Sequence, residues 1–275
     1  MPNTLFIGKV YLCFDELSST NDYAAELIAE GGKTNAKSTP PEGMVVRAAS
    51  QSAGRGQFGS RWEGEAGNSL TLSVILYPVW LDVSAQFYLS MAVALGVFDA
   101  IDRILQHVST VPIEAFPHNT GALVANIKWP NDLYIADKKI AGILIQNSIS
   151  GKNIQSSIVG IGLNVNQLEF HSDVPNPGSL ALAAGHSFDL DSVAETLFEC
   201  LEQRYLQLKA RCFEEIRHEY ESHLYRLGEA AQYMRAGTGE IFNGVVRGVT
   251  EEGRLRIQTA SGEETFEVKE IKWLR

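Results

Sequence analysis

Three glycines, two arginines, an aromatic pair and a glutamine share the nine positions of "GRGQFGSRW", residues 54–62. Gly54, Gly56 and Gly59 spell G-x-G-x-x-G, the spacing of a dinucleotide-binding turn. Such a turn leaves a strand and enters a helix, because the helix N-terminus holds the pyrophosphate. Here the third glycine leads into "SRWEGEAGNS", too glycine-rich for a helix, and then into a strand. The nicotinamide or flavin reading fails on that context. A Walker loop fails too, since no Gly-Lys-Ser/Thr follows. The loop keeps a simpler chemistry: glycines let backbone N–H groups converge on an anion, and Arg55 and Arg61 add charge. Trp62 either stacks on a base or packs the loop down.

A second cluster lies in "KWPNDLYIADKKIAGILIQ". Lys128 stands at a strand end, Pro130-Asn131-Asp132 form the turn, and Lys138-Lys139 occupy the next hairpin turn. Two such turns bring an amine, an amide and a carboxylate to one edge of a sheet. A third stretch, "GIGLNVN" at 160–166, reads as a strand with two glycines where a ligand can approach the backbone closely. The six histidines form no metal-binding spacing and read as structural or surface residues, so no protein-held metal is expected.

The elements that position these groups follow from periodicity and turn chemistry. "KVYLCFDEL" (9–17) reads as a strand, "SSTN" opens the helix "NDYAAELIAE", and Gly31-Gly32 stop it. A loop over 34–43 leads to the strand "MVVRAA"; after the glycine loop, "NSLTLSVILYP" (68–78) reads as a strand of apolar alternation. Residues 84–108 carry apolar side chains at helical spacing. "ALVANIKWP", "LYIA", "KIAGILIQNSI" and "SSIVGIGLNV" are four β segments split by "ND", "DKK" and "SGKN". Residues 191–227 predict two helices, and 239–275 the short, glycine-punctuated strands of a small barrel.

Composition narrows the class. With 275 residues, 45% apolar and 20% charged, the chain is an ordinary globular protein of one large domain, or one large and one small. Cys13, Cys200 and Cys212 are odd in number and scattered, which suits reduced thiols in a cytoplasmic protein rather than a disulfide frame. No secretory signal opens the chain, and the best apolar run, "AVALGVF" at 92–98, stops at Asp99, short of a membrane span. A net charge of −10 argues against the basic face that nucleic-acid binding requires.

The glycine loop, the K-W-P-N-D element with Lys139 eleven residues after Lys128, and "GIGLNVN", in this order and spacing, closely resemble biotin–protein ligases. The resemblance runs from "SSTN" through the terminal β segment. It implies an α+β fold: a mixed sheet with helices packed on it over 1–227, the catalytic domain, and a C-terminal SH3-like β-barrel over 228–275. It also implies a reaction in which biotin and Mg-ATP give biotinyl-5′-AMP and pyrophosphate, followed by transfer to a lysine of a biotin carboxyl carrier domain of a biotin-dependent carboxylase.

By that resemblance Lys139 bridges the biotin carboxylate and the α-phosphate, Arg55 and Lys128 serve the phosphates, and Asn131 and Asp132 meet the incoming lysine. Ser19, Thr20, Gln51, Gly54, Arg55, Lys139, Gly142 and Gly160 would bind biotin, the last two glycines with backbone help. Arg55, Gln57, Arg61, Trp62, Lys128, Asn131 and Asn164 would bind ATP or the adenylate. Mg²⁺ would arrive on the nucleotide.

Some family members carry an N-terminal DNA-binding helix-turn-helix. This chain opens on the first catalytic strand, so the expectation is the monofunctional type, with no DNA or membrane partner and a homodimer left open. Gln57 departs from the commoner G-R-G-R pattern, and Ser60 stands where many members carry a basic or amide residue. The rival readings are a lipoate–protein ligase, a repressor or adaptor that senses biotinyl-AMP, and an interaction module.

Overall fold

Seven strands form one mixed sheet in the computed structural model, which describes residues 2–32, 39–59, 62, 64–106, 124–170 and 176–274. They are β1 (Tyr11–Leu17), β2 (Val45–Gln51), β3 (Ser69–Leu76), β4 (Ala125–Lys128), β5 (Asp132–Ile135), β6 (Lys138–Ser150) and β7 (Asn153–Asn164). Their order is β1-β2-β3-β7-β6-β5-β4, with β1 parallel to β2 and every other pair antiparallel. Most of the loop expected over 34–43, the end of the helix expected over 84–108, and the start of "ALVANIKWP" lie outside the described residues.

The strand expected over 68–78 is buried throughout Ser69–Leu76, rather than on one face as alternation suggests. Its two faces meet different layers. Leu70, Leu72, Val74 and Leu76 join the large core, whereas Ile75 packs with Ala24 of α1 (Thr20–Gly31) and Val46. Ser69, Thr71 and Ser73 alternate on the α1 side and are also buried. Buried hydroxyls need partners, so this polar file marks where the core gives way to something else.

Helix α2 (Gln86–Leu105) crosses the opposite face and packs on α4 (Leu190–Lys209) and α5 (Phe213–Ser222); a short α3 (Leu180–Ala184), absent from the sequence reading, precedes them. Contrary to the sequence expectation, Val83–Leu105 is long and apolar enough to cross a membrane by length and composition. Its apolar window is 67% buried within the protein, because the helix is the centre of the core.

Glu202 of α4 is 5% exposed and accepts the backbone N–H groups of Leu5, Phe6 (2.8 Å) and Ile7 (2.9 Å), tying the first residues to the core. Hydrogen bonds to a charged group contribute about 1.5–3 kcal/mol each, so Glu202→Ala is expected to lower stability by about 3 kcal/mol. A urea unfolding midpoint equal to wild type would contradict this.

The second sheet is five-stranded, antiparallel and SH3-like: β8 (Ala230–Arg235), β9 (Ile241–Val249), β10 (Leu255–Thr259), β11 (Gly262–Phe266) and β12 (Ile271–Trp273), in the order β11-β10-β9-β8-β12. It begins at Ala230, ahead of the expected 239, because "AAQYMR" carries no glycine to announce a new β unit. Residues 223–225 run beside β4, with Ile127 donating to the His223 carbonyl (2.8 Å) and Tyr225 to that of Ile127 (2.9 Å). The approach to the second sheet is thus stitched to the edge of the first.

Candidate active site

A cleft of about 750 Å³, counted out to its open mouth, lies over β3, β7 and β6 beside the start of α1. One end is polar. Ser19 caps α1, accepting from Asp22 N–H (3.3 Å); because it accepts through Oγ, its own proton is left for the cleft. Gln51 Oε1 accepts from Thr20 N–H (2.7 Å). Ser73 Oγ lies 2.8 Å from Thr20 Oγ1 and 2.6 Å from Asn21 Oδ1. One hydroxyl proton serves only one of these contacts, so Ser73 donates to the Asn21 carbonyl oxygen and accepts from Thr20. Asn21 Nδ2 in turn donates to Gln146 Oε1 (2.8 Å).

Asn21 and Thr71 line this end, with Ser73 buried against Asn21, and the sequence reading named none of the three. The signal was there for two: in "SLTLSVIL" Ser69, Thr71 and Ser73 put a hydroxyl at every second residue up to Ile75, which an ordinary core strand has no use for.

Glycines make the cleft by omission. A Cβ at Gly160 would meet Asn21 Oδ1 at 2.3 Å, and one at Gly162 would lie 2.1 Å from the Trp62 ring. Gly142 pairs with Gly162 across β6 and β7, so the indole of Trp62 lies on a two-glycine platform. Gly142 and Gly160 sit in interior strands flanked on both sides, and their missing side chains leave room over the sheet. The Nε1–H of Trp62 is buried without an acceptor, which is rare enough to require an explanation.

The other end is charged. Lys139 Nζ lies 2.7 Å from Asp132 Oδ1 and 6.0 Å from the centre of the Trp62 ring, each member of the ion pair being 25% exposed. Gly142 and Lys139 are an odd number apart, yet a Cβ at Gly142 would lie 3.4 Å from Lys139 Nζ, so the two share a face that regular pleating would deny them. A register shift between Leu133 and Tyr134 opposite β6 resolves it, pairing Asp132 with Gly142 but Tyr134 with Lys139. The Lys139 backbone is fixed as well: its N–H donates to Asn176 O (2.7 Å) and its carbonyl accepts from Gly178 N–H (2.9 Å).

The remaining expected residues divide. Arg55 and Gln57 line the cleft, with Arg55 Nη1 3.2 Å from Asp22 Oδ1. Asn131 lines it too, but its Nδ2 donates to the Ile143 carbonyl, so its amide holds the turn on β6. Gly54 is buried beneath the loop, where a Cβ would meet the Trp62 carbonyl at 2.5 Å. Asn164 does not line the cleft. It is buried and donates to Gly178 O (2.9 Å), supporting the segment that pins Lys139. Lys128 is also off the lining: its ammonium donates to Tyr134 Oη (3.3 Å). Arg61 lies outside the described residues.

Residues 16–164, more than half the chain, match the biotin/lipoate A/B protein ligase family. The chain belongs to this family. Residues 234–271 match the biotin protein ligase C-terminal domain. The chain is 33% identical to the bifunctional ligase/repressor BirA of Bacillus subtilis, over 94% of this chain and 72% of that one. It is 29% identical to the biotin–[acetyl-CoA-carboxylase] ligase of Mycobacterium tuberculosis, over 90% and 84% of the two chains. Its fold resembles that of the Aquifex aeolicus biotin protein ligase in complex with biotin and ATP, with a TM-score of 0.74 at 24% identity over 97% and 99% of the chains. In this family member the cleft, the glycine loop and the K-W-P-N-D hairpin therefore meet in one place.

Proposed function

We propose that the protein activates biotin with ATP and transfers it to a lysine of a biotin carboxyl carrier domain. The observation that carries this is a cleft with a hydrogen-bonding network at one end and the Lys139–Asp132 pair at the other. A ureido ring offers two N–H donors and a carbonyl, which the hydroxyls and amides of Ser19, Thr20, Asn21 and Gln51 match. Leu144 and the Trp62 ring, on the glycine face of the sheet, line the cleft where an aliphatic chain would lie. A dithiolane ring has no use for such a network, and this favours biotin over lipoate.

In the first step a biotin carboxylate oxygen attacks the α-phosphorus, the bond to the β,γ-pyrophosphate breaks, and pyrophosphate leaves. Anion meets anion, so Lys139 turns from Asp132 to the oxygens between which the new bond forms. Arg55 and Lys128 lend charge on the nucleotide side. The glycine loop and Trp62 cover the mixed anhydride and keep water from it. In the second step the carrier amine attacks the anhydride carbonyl and AMP leaves; Asp132 receives the amine proton and passes it to solvent. Magnesium would screen the phosphates. Among the described residues no three His, Cys, Asp or Glu side chains gather to hold a cation, and Asp132 is engaged by Lys139, so the fit is to a metal carried by the triphosphate and water.

Residues 1–227 act as the catalytic unit and 228–275 as its SH3-like appendage. The unpaired thiols of Cys13, Cys200 and Cys212 suit a reducing cytoplasm. The purified chain with Mg-ATP is expected to exchange labelled pyrophosphate into ATP only when biotin is added. Exchange with lipoate and none with biotin would reject this reading.

Gln57 adds a quantitative expectation. A charge-assisted hydrogen bond to phosphate is roughly twice as strong as a neutral one. Gln57→Arg is therefore expected to slow release of labelled biotinyl-AMP in single-turnover experiments while pyrophosphate exchange changes little. An unchanged or faster release would mean that Gln57 already makes an equivalent contact or that its side chain does not face the adenylate.

A further inference from the structure

Among the described residues of the expected set, Lys128 is the cation enclosed by three rings. Nζ lies 4.8 Å from the centre of Tyr134, 5.6 Å from Trp273 and 5.9 Å from Tyr225. These rings come from β5, from the segment that runs beside β4, and from β12 of the second sheet. The cage has structure of its own. The Tyr225 ring packs tilted against Trp273 (centres 5.7 Å apart) and Tyr134 (5.4 Å), and its hydroxyl donates to Asp137, which Arg226 also approaches at 3.7 Å. Trp129, next in sequence, donates its indole N–H to the Gly253 carbonyl (2.9 Å), a second tie from the K-W-P-N-D hairpin to the second sheet.

The place of this amine gives the cage a purpose. Lys128 and Asp132 are directly opposed in the β4–β5 ladder, and opposed residues share a face. Asp132 lines the cleft and holds Lys139, so the caged ammonium stands beside the reaction centre. Burial pushes Lys128 below the usual lysine range; Asp132 and Asp137 oppose this, and Lys139 and Arg226 add to it. A long, flexible side chain held by three rings and one hydroxyl gives up most of its rotamer freedom before any ligand arrives.

We propose that Trp273 is a positioning residue: with Tyr134 and Tyr225 it fixes the Lys128 ammonium at the nucleotide side of the cleft, so that the second sheet sets where this cation meets ATP. The inference rests on the ligase reading above and adds to it the means by which residues far along the chain act on the first step. Trp273 itself touches no substrate. It acts through Lys128, and its effect falls on ATP rather than biotin, whose network lies at the opposite end of the cleft.

Two variants, Trp273→Leu and Trp273→Phe, test this by pyrophosphate exchange, biotin calorimetry and the proton shifts of the Lys128 methylenes, assigned with Lys128→Arg. Aromatic rings around the amine move those methylene protons upfield, a signature read without substrate. Trp273→Leu is expected to lose much of the upfield shift and to raise KM for ATP by about 2- to 30-fold, the span of a cation–π contact, with kcat and biotin affinity kept. Trp273→Phe should restore both readouts.

A Leu variant with wild-type KM for ATP, or with unchanged methylene shifts, overturns the proposal. So does a Phe variant as impaired as Leu, or biotin affinity falling in step with ATP, which would mark a general loss of fold. If the wild-type protein shows no biotin-dependent exchange, the ligase reading itself fails; the methylene shifts still decide whether Trp273 holds Lys128.

Discussion

Replacing Lys139 by alanine is expected to slow biotin-dependent pyrophosphate exchange by roughly 10²–10³, the scale on which one preorganised charge contact acts in a transition state. The ion pair sharpens the expectation. In the free protein Asp132 balances the lysine at 2.7 Å; without the lysine, a carboxylate alone faces two approaching anions. The loss therefore contains both a missing attraction and a new repulsion. Lys139→Ala combined with Asp132→Asn should bind ATP better than Lys139→Ala alone, because the second change removes the repulsion. Both side chains are partly exposed and neither fills the core, so the fold should persist. A Lys139→Ala protein with near wild-type exchange would remove the residue from the mechanism.

Asp132→Asn alone is expected to separate the two steps. Transfer of the biotinyl group to the carrier lysine should fall by roughly 10²–10⁴, the usual contribution of a positioned general base, while adenylate formation is much less affected. Lys139 stays in place through its backbone bonds to Asn176 and Gly178 and, freed of its partner, remains available to the ligand anions. Adenylate should therefore accumulate on the variant when carrier is present. The check is rapid-quench kinetics with preformed biotinyl-AMP and carrier. Equal rates of transfer in the variant and wild type would show that the incoming amine loses its proton elsewhere. A raised carrier pH should partly rescue transfer, since an amine already neutral needs no base.

Local pattern carried much of this protein. "SSTN" is a helix start because Ser19 has an amide to accept from, and that requirement is local, visible in four residues. The four β segments after residue 121 were legible because turn residues separate them and their side chains suit a pleated surface. Ser19, Thr20, Gln51, Arg55, Gln57, Asp132 and Lys139 were named through the resemblance that the motifs carry, and all line one cleft.

Pairing and packing lie beyond such patterns. Whether Lys139 faces the same way as Gly142 depends on a register shift against β5, and no residue in either strand announces it. Whether Asn164 reaches ligand or backbone depends on where Gly178 lies in space, and the structure turns its amide to that carbonyl. Asn21 looked like one more helix-start residue until β3 brought Ser73 and β6 brought Gln146 to its two ends. Lys128 read as a cation at a strand end until Trp273, 145 positions later in the numbering of the chain, supplied one of its rings. The sequence by itself determined which chemical groups the protein owns and which segments are strands or helices, because those follow from neighbours a few residues apart. Only the tertiary structure decided which groups face one another, because burial and strand register join residues whose separation along the chain leaves no local trace.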